Sequence, residues 1–131
     1  MKMHPEEKNI IVKCDKPFID KRGVIQPIVD VDMKSAVLIT SNKGSIRANH
    51  YHKTDWHYCT ILEGSIRYYW RDVGDSNKPS NLLIKKNETF YTPPMVEHAM
   101  FFEEDTLFLT LGGNSRKQIS YEEDLVRVNL I

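Results

Sequence analysis

A chain of 131 residues, 40% of them apolar, supplies enough hydrophobic side chains for one compact core. Its 18 Lys plus Arg balance its 18 Asp plus Glu, which excludes a net field that would draw it to nucleic acid or an anionic membrane. No run approaches the roughly 20 apolar residues of a membrane span.

The first element in chain order is an arm, residues 1 to about 9, reading "MKMHPEEKN". It lacks the apolar stretch and small-residue cleavage site of a secretory signal, so the chain is expected in the cytoplasm, and His4 beside Pro5 reads as solvated. Cys14 and Cys59 form no C-x-x-C pair and read as small core residues of a reducing compartment. Short β-branched and aromatic runs then follow one another. They are "IIVK" (10 to 13), "VIQPIV" (24 to 29), "SAVLITS" (35 to 41), "SIRANHYH" (45 to 52), "HYCTILEG" (57 to 64), "SIRYYWRD" (65 to 72), "NLLIKK" (81 to 86), "TFYTP" (89 to 93), "HAMFFE" (98 to 103) and "TLFLTL" (106 to 111). "EGS" (63 to 65) is a tight turn and "DVGDSNKPSN" (72 to 81) a polar loop. Strands this short and this numerous predict an all-β sandwich or jelly roll, a single domain over residues 1–131. In "SYEED", Ser120 stands three residues before Glu123 and predicts a short C-terminal helical turn with a capping box. The alternating "LVRVNLI" after it, like "NIIVK" near the start, is apolar enough to add an edge strand to a second chain, which predicts a homodimer.

Three of the five histidines fall in "GSIRANHYHKTDWH". Strand alternation puts Ile46, Ala48, His50 and His52 on one face and Arg47, Asn49 and Tyr51 on the other, so Arg47 reaches the histidine side only across a bulge. If "KTD" (53 to 55) is a turn, the next strand returns antiparallel and brings His57 level with His50 and His52. His98 begins another strand after a proline turn and is a fourth candidate. Converging neutral imidazoles suit one divalent transition metal, Zn, Ni or Fe, rather than Mg or Ca. Without a metal, inward histidines would repel when protonated, and each neutral ring would need its own hydrogen-bond partners.

The spacing of these residues resembles the first cupin motif, G-x5-H-x-H-x(3,4)-E-x6-G. Gly44, His50, His52, His57 and Gly64 match every interval, with His57 at the Glu position. Asn87, Pro93, Met95, His98 and Phe102 resemble the second motif, G-x5-P-x-G-x2-H-x3-N, at its Pro and His. The resemblance is to the cupin superfamily and implies its RmlC-like jelly roll, the double-stranded β-helix. It implies His50, His52 and His98 as metal ligands, with His57 a fourth ligand or a free base. "FIDKRGVIQ" (18 to 26) with "GSIRANHYH" (44 to 52) is further similar to sugar-nucleotide 3,5-epimerases and ketoisomerases and to the cupin domain of capsule-synthesis reductases. In the epimerases the histidine matching His50 is a general base and the arginine matching Arg47 binds nucleotide phosphate. Their tyrosine acid falls near "LTLGGN" (109 to 114), where this chain has none.

Other residues complete the candidate site. Tyr68 and Trp70 share the inward face of their strand and either fill the barrel or line the cavity; Tyr68, Tyr91 and His57 are the candidate proton carriers. Arg47, Trp70 and Met100 are the candidate substrate contacts. Met95 also lies near the site, and Glu97 reads as a turn charge or as an acceptor for an imidazole. The expected protein is a metal-dependent isomerase, epimerase or lyase acting on a small molecule, a carbohydrate, keto sugar or nucleotide sugar. The alternatives are a metal-dependent dioxygenase and a non-catalytic sugar-binding cupin.

Overall fold

Eleven strands and one short helix carry residues 10–131, the part of the chain that the computed structural model describes. The arm over residues 1 to 9, with His4, lies outside the described residues. Strands β1 (Phe18–Asp20) and β2 (Gly23–Ile25) form a small separate hairpin. The others are β3 (Ser35–Ser41), β4 (Ile46–His52), β5 (His57–Glu63), β6 (Ser65–Asp72), β7 (Ser80–Lys85), β8 (Thr89–Thr92), β9 (Val96–Phe101) and β10 (Thr106–Gly112), then helix α1 (Gln118–Asp124) and β11 (Leu125–Arg127). They build two antiparallel sheets, in the orders β3-β10-β5-β8 and β11-β4-β9-β6-β7. This is the jelly roll that the strand spacing predicts.

The two sheets close over one apolar core. Ile61, Ile66, Tyr68, Ile84, Phe90, Phe102 and Phe108 are fully buried, and the rings of Phe102 and Phe108 stack at 5.9 Å. Each such side chain contributes about 1.5 to 3 kcal/mol by leaving water. The core fills one end of the barrel. At the other end the inward positions of β4, β5 and β9 are histidines, and there the barrel stays hollow.

All four positions that the two cupin motifs give to glycine have a left-handed backbone: Gly44 at φ 89°, Gly64 at 89°, Asn87 at 69° and Met95 at 61°. The turns therefore persist where the glycines do not. Gly64 is the least replaceable, because a Cβ there would lie 2.5 Å from the carbonyl oxygen of Asp105 and against Thr106 Oγ1. Thr106 Oγ1 donates to Ser65 O at 2.9 Å and accepts from Ser65 N at 3.2 Å, so it cannot yield without losing this clasp. Gly64→Ala should cost at least about 2 kcal/mol, seen as a melting temperature lower by roughly 6 to 10 °C. An unchanged melting curve would contradict the fit described for this turn.

Several local expectations are corrected. Residues 10 to 13 form an isolated bridge, Ile11 to Phe90, rather than a strand. The strand expected over 24 to 29 stops at Ile25, since Pro27 has no amide hydrogen for a ladder. "KTD" is not a hairpin turn: β4 and β5 belong to opposite sheets, and the chain crosses the barrel between them. Ser120 is not a cap. The helix begins at Gln118 after Lys117, without a side-chain cap bond. β11 pairs with β4 of its own chain and stands as the end strand of its sheet, the edge position expected of "LVRVNLI". No helix among the described residues is long and apolar enough to cross a membrane.

Candidate active site

The histidines come from three strands on the two facing sheets. His50 and His52 project from β4, His98 from β9 in register with His50, and His57 from the start of β5 across the barrel. Ring centroids are 4.7 Å apart for His50 and His52, 4.8 Å for His50 and His98, and 4.8 Å for His52 and His57. They line one cavity with Arg47, Met100, Thr92, Arg116 and Tyr121, against an apolar wall that includes Val37, Ile39 and Phe108. His52, His57 and His98 are buried, His50 and Tyr121 half-buried, and Arg47 and Arg116 exposed. The cavity thus descends from two cations at its mouth to imidazoles at its floor.

Arg47 reaches this cavity because β4 carries a bulge. The register with β9 slips between Ala48 and His50, leaving Asn49 as an extra residue, with Ala48 at φ 70° and Asn49 at φ 55°. The slip reverses alternation: Ile46 turns outward and is 50% exposed, while Arg47 lines the cavity. Its Nε donates to Ser41 Oγ at 2.7 Å and its Nη2 to Thr40 O at 2.9 Å.

Burial keeps the floor imidazoles neutral. Desolvation, reinforced by the neighbouring rings of His52 and His57, lowers His50 to about 3. Burial and then His57 lower His52 to about 4, against the opposing pull of Asp55 and Asp124. Burial, with His50 beside it, holds His98 well below the ordinary histidine range. In the unfolded chain these rings titrate near 6.5, so below that pH the unfolded state binds more protons than the folded one. The stability they confer is full above pH 6.5 and is lost as pH falls toward 4. For metal-free protein in chelator, the melting temperature should hold between pH 7 and 8 and drop steadily from pH 6.5 to 4.5. A flat profile over that lower range would contradict neutral buried rings.

Two aspartates hold the imidazoles from behind. Asp124 Oδ2 lies 3.3 Å from His52 Nδ1, and Asp55 Oδ2 lies 3.1 Å from His57 Nε2. Asp55 is itself fixed: its Oδ1 accepts from Trp56 N and Asn114 N, each at 2.9 Å. Burial raises the Asp55 carboxyl, but its contacts with His57 and these amides together outweigh that and leave it below the ordinary range. Asp124 Oδ1 accepts from Thr54 N at 2.9 Å and Thr54 Oγ1 at 2.7 Å, and its Oδ2 accepts from Asp55 N at 3.1 Å. Burial opposes its ionisation too, and these bonds prevail.

The donor set fits a metal. His50, His52 and His98 each present a ring nitrogen within 4.8 Å of the others. His98 Nδ1–H donates to Val96 O at 3.0 Å in the tautomer that leaves Nε2 a lone pair. His52 is 1% exposed and neither of its ring nitrogens has an aligned hydrogen bond, a costly state that a cation would relieve. His57 stands outside this trio, its Nε2 turned to Asp55.

The remaining sequence candidates divide. Met100 lines the cavity and Met95 is exposed beyond it. Tyr68 is fully buried beneath the histidines; its hydroxyl is bonded to Thr92 Oγ1 at 2.7 Å and burial raises its phenol strongly. Trp70 stacks on Tyr68 at 5.7 Å and lines a separate groove with Arg71 and Lys78. Tyr91 falls on the other face of β8, packed at 4.7 Å on Tyr58. Both residues lie outside the cavity: alternation turns Tyr91 away, and Trp70 packs against the apolar core and Tyr68. Glu97 is bound by Arg71, with Nη2 to Oε1 at 2.7 Å. Cys59 lines the cavity, but burial pushes its thiol up to about 12.

Four groups of the site escape a strand-by-strand reading: Asp55 and Asp124 behind the imidazoles, and Arg116 and Tyr121 in the cavity lining. Asp55 had a signal, standing two residues before His57. The others come from α1 and the segment before it, which fold back over the cavity with Arg116 stacked 3.6 Å above the Tyr121 ring. The Tyr121 ring centroid is 5.4 Å from that of His52 and 6.2 Å from that of His50. A phenol thus reaches the cavity from outside residues 109 to 114.

No protein-family model matches this sequence and no curated protein matches it. Solved structures do. The 3,4-ketoisomerase QdtA from Thermoanaerobacterium thermosaccharolyticum, as a double mutant in complex with TDP, is 26% identical with a TM-score of 0.71, over 89% of this chain and 85% of that one. Another QdtA structure holds TDP-4-keto-6-deoxyglucose. The dTDP-4-dehydrorhamnose 3,5-epimerase from Sulfolobus tokodaii is 19% identical with a TM-score of 0.66, over 82% and 71% of the two chains. The capsular polysaccharide assembling protein CapF from Staphylococcus aureus is 17% identical with a TM-score of 0.65, and the match covers 87% of this chain but 34% of CapF. The chain has the RmlC-like cupin fold that its histidine spacing implies.

Proposed function

We propose that this protein is a metal-dependent isomerase or epimerase that moves a proton beside the ketone of a nucleotide-linked keto sugar. The observation that carries this reading is a single cavity with arginines at its mouth, neutral imidazoles at its floor and a phenol between. QdtA structures with TDP and TDP-4-keto-6-deoxyglucose support the substrate class.

His50, His52 and His98 would hold one divalent transition metal, Zn, Ni or Fe, whose chemistry when bound is to stabilise negative charge on a ketone oxygen. Arg47 and Arg116 bind the substrate's diphosphate, matching cations to an anion at the mouth. His57 takes the proton from the carbon next to the ketone, and Asp55 stabilises the imidazolium that forms. The Tyr121 hydroxyl donates to the substrate oxygen on which charge gathers, and the cation above its ring favours that polarisation. His57 returns the proton to the former ketone carbon, while a proton passes from the neighbouring hydroxyl to the former ketone oxygen, which gives a ketoisomer; protonation of the first carbon from the opposite face, by the Tyr121 hydroxyl, gives an epimer instead. The apolar wall of Val37, Ile39 and Phe108 excludes water from the reacting carbons.

The protein also reads as a homodimer, because Phe18, Ile19, Val24 and Ile25 of the β1–β2 hairpin are each more than half exposed. Sedimentation at micromolar concentration should show twice the 15.3 kDa chain mass. A monomer alone would contradict it.

Conversion of TDP-4-keto-6-deoxyglucose, followed by mass spectrometry, tests the reaction class. An isomer of unchanged mass is expected. Loss of a water would mean a lyase, gain of oxygen a dioxygenase, and binding without conversion a sugar-binding cupin.

A further inference from the structure

The bulge that turns Arg47 inward is held from the far end of the chain. Two consecutive residues with side chains, Ala48 and Asn49, keep a left-handed backbone that regular β4 would not impose. Asn49 is clamped. Its carbonyl accepts from Val128 N at 2.9 Å, its Oδ1 from Leu130 N at 3.2 Å and Ile131 N at 3.1 Å, and its Nδ2 donates to Ile131 O at 3.3 Å. Leu130 anchors that segment, only 8% exposed. The three side-chain bonds require an amide, with an acceptor and a donor on one short stem, and asparagine also tolerates the left-handed region.

We infer that Asn49 is the positioning residue for Arg47: its clamp to the backbone of Leu130 and Ile131 fixes the bulge that keeps the Arg47 guanidinium in the cavity, where it takes a nucleoside diphosphate. Released from the clamp, β4 relaxes toward regular alternation, which sends Arg47 out and Ile46 in. Nε and Nη2 of Arg47 are already occupied by Ser41 and Thr40, which leaves Nη1 for the ligand. The inference rests on the substrate class proposed above only for the ligand, not for the placement of Arg47.

The test is titration with TDP by calorimetry together with crystal structures of the variants. Asn49→Gly, which permits the left-handed backbone but removes the amide, should weaken TDP binding by about 10- to 100-fold, the effect of losing one charge-assisted contact. Asn49→Ala should do the same, Arg47→Ala should match both, and Asn49→Asp, which keeps the two acceptor bonds but loses the donor to Ile131 O, should recover only part of the affinity. In turnover the loss should fall on KM rather than kcat. In an Arg47→Ala background, Asn49→Gly should add nothing. An Asn49→Gly protein with Arg47 still in the cavity and full TDP affinity would overturn the inference, as would an equal loss with Arg47 already removed. If the unaltered protein binds no TDP, the proposed substrate class fails. The crystal structure of Asn49→Gly then decides the inference by itself, with Arg47 outside the cavity supporting it and Arg47 inside overturning it.

Discussion

Replacing His57 with alanine should leave the protein folded and metal-loaded while slowing proton transfer by about 10²- to 10⁴-fold, the usual contribution of a positioned acid or base. The geometry separates this ring from the other three. His57 Nε2 faces Asp55 at 3.1 Å, whereas His50, His52 and His98 gather their nitrogens without it. Removing the ring does not strand Asp55, which keeps its bonds from Trp56 N and Asn114 N. Metal content and turnover should therefore part company. Loss of metal together with rate would make His57 a ligand. Full retention of both would make it a packing residue.

His50→Ala should have the opposite signature, with metal and turnover lost together. His50 contributes one of three converging donors, and two imidazoles hold a transition metal far more weakly than three. The half-buried position of His50 lets the fold survive, so circular dichroism should stay native. Added Zn should raise the melting temperature of the unaltered protein by mass action and leave that of His50→Ala unmoved. A variant that is stabilised by Zn as strongly as its parent would show that the trio is not the metal site.

Much of the fold was legible because a jelly roll is written in short alternating runs. "SAVLITS" and "SIRYYWRD" coincide with β3 and β6 to the residue. Legibility failed where the backbone departs from period two. The bulge at Ala48 and Asn49 has no glycine to announce it, so alternation alone put Arg47 on the wrong face. The convergence of His57 on His50 and His52 was anticipated through the wrong connection, because a hairpin and a crossing between sheets both bring the three rings together. Asp124, Arg116 and Tyr121 were invisible for a different reason. They reach the cavity or the back of its imidazoles from the C-terminal segment, about 70 residues after the histidine cluster, and no periodicity links two segments that meet only in the folded chain. Tyr91 and Trp70 show the converse, since lying near a histidine in sequence or register does not place a side chain in the same cavity.

The central claim is proton transfer beside a ketone, and solvent exchange tests it most directly. Metal-loaded protein incubated with TDP-4-keto-6-deoxyglucose in deuterated water should place deuterium on a carbon next to the ketone, seen by NMR, at a rate that falls with His57→Ala. Conversion without any deuterium at those carbons, or a loaded and folded protein that leaves every carbon-bound proton in place, would contradict the account.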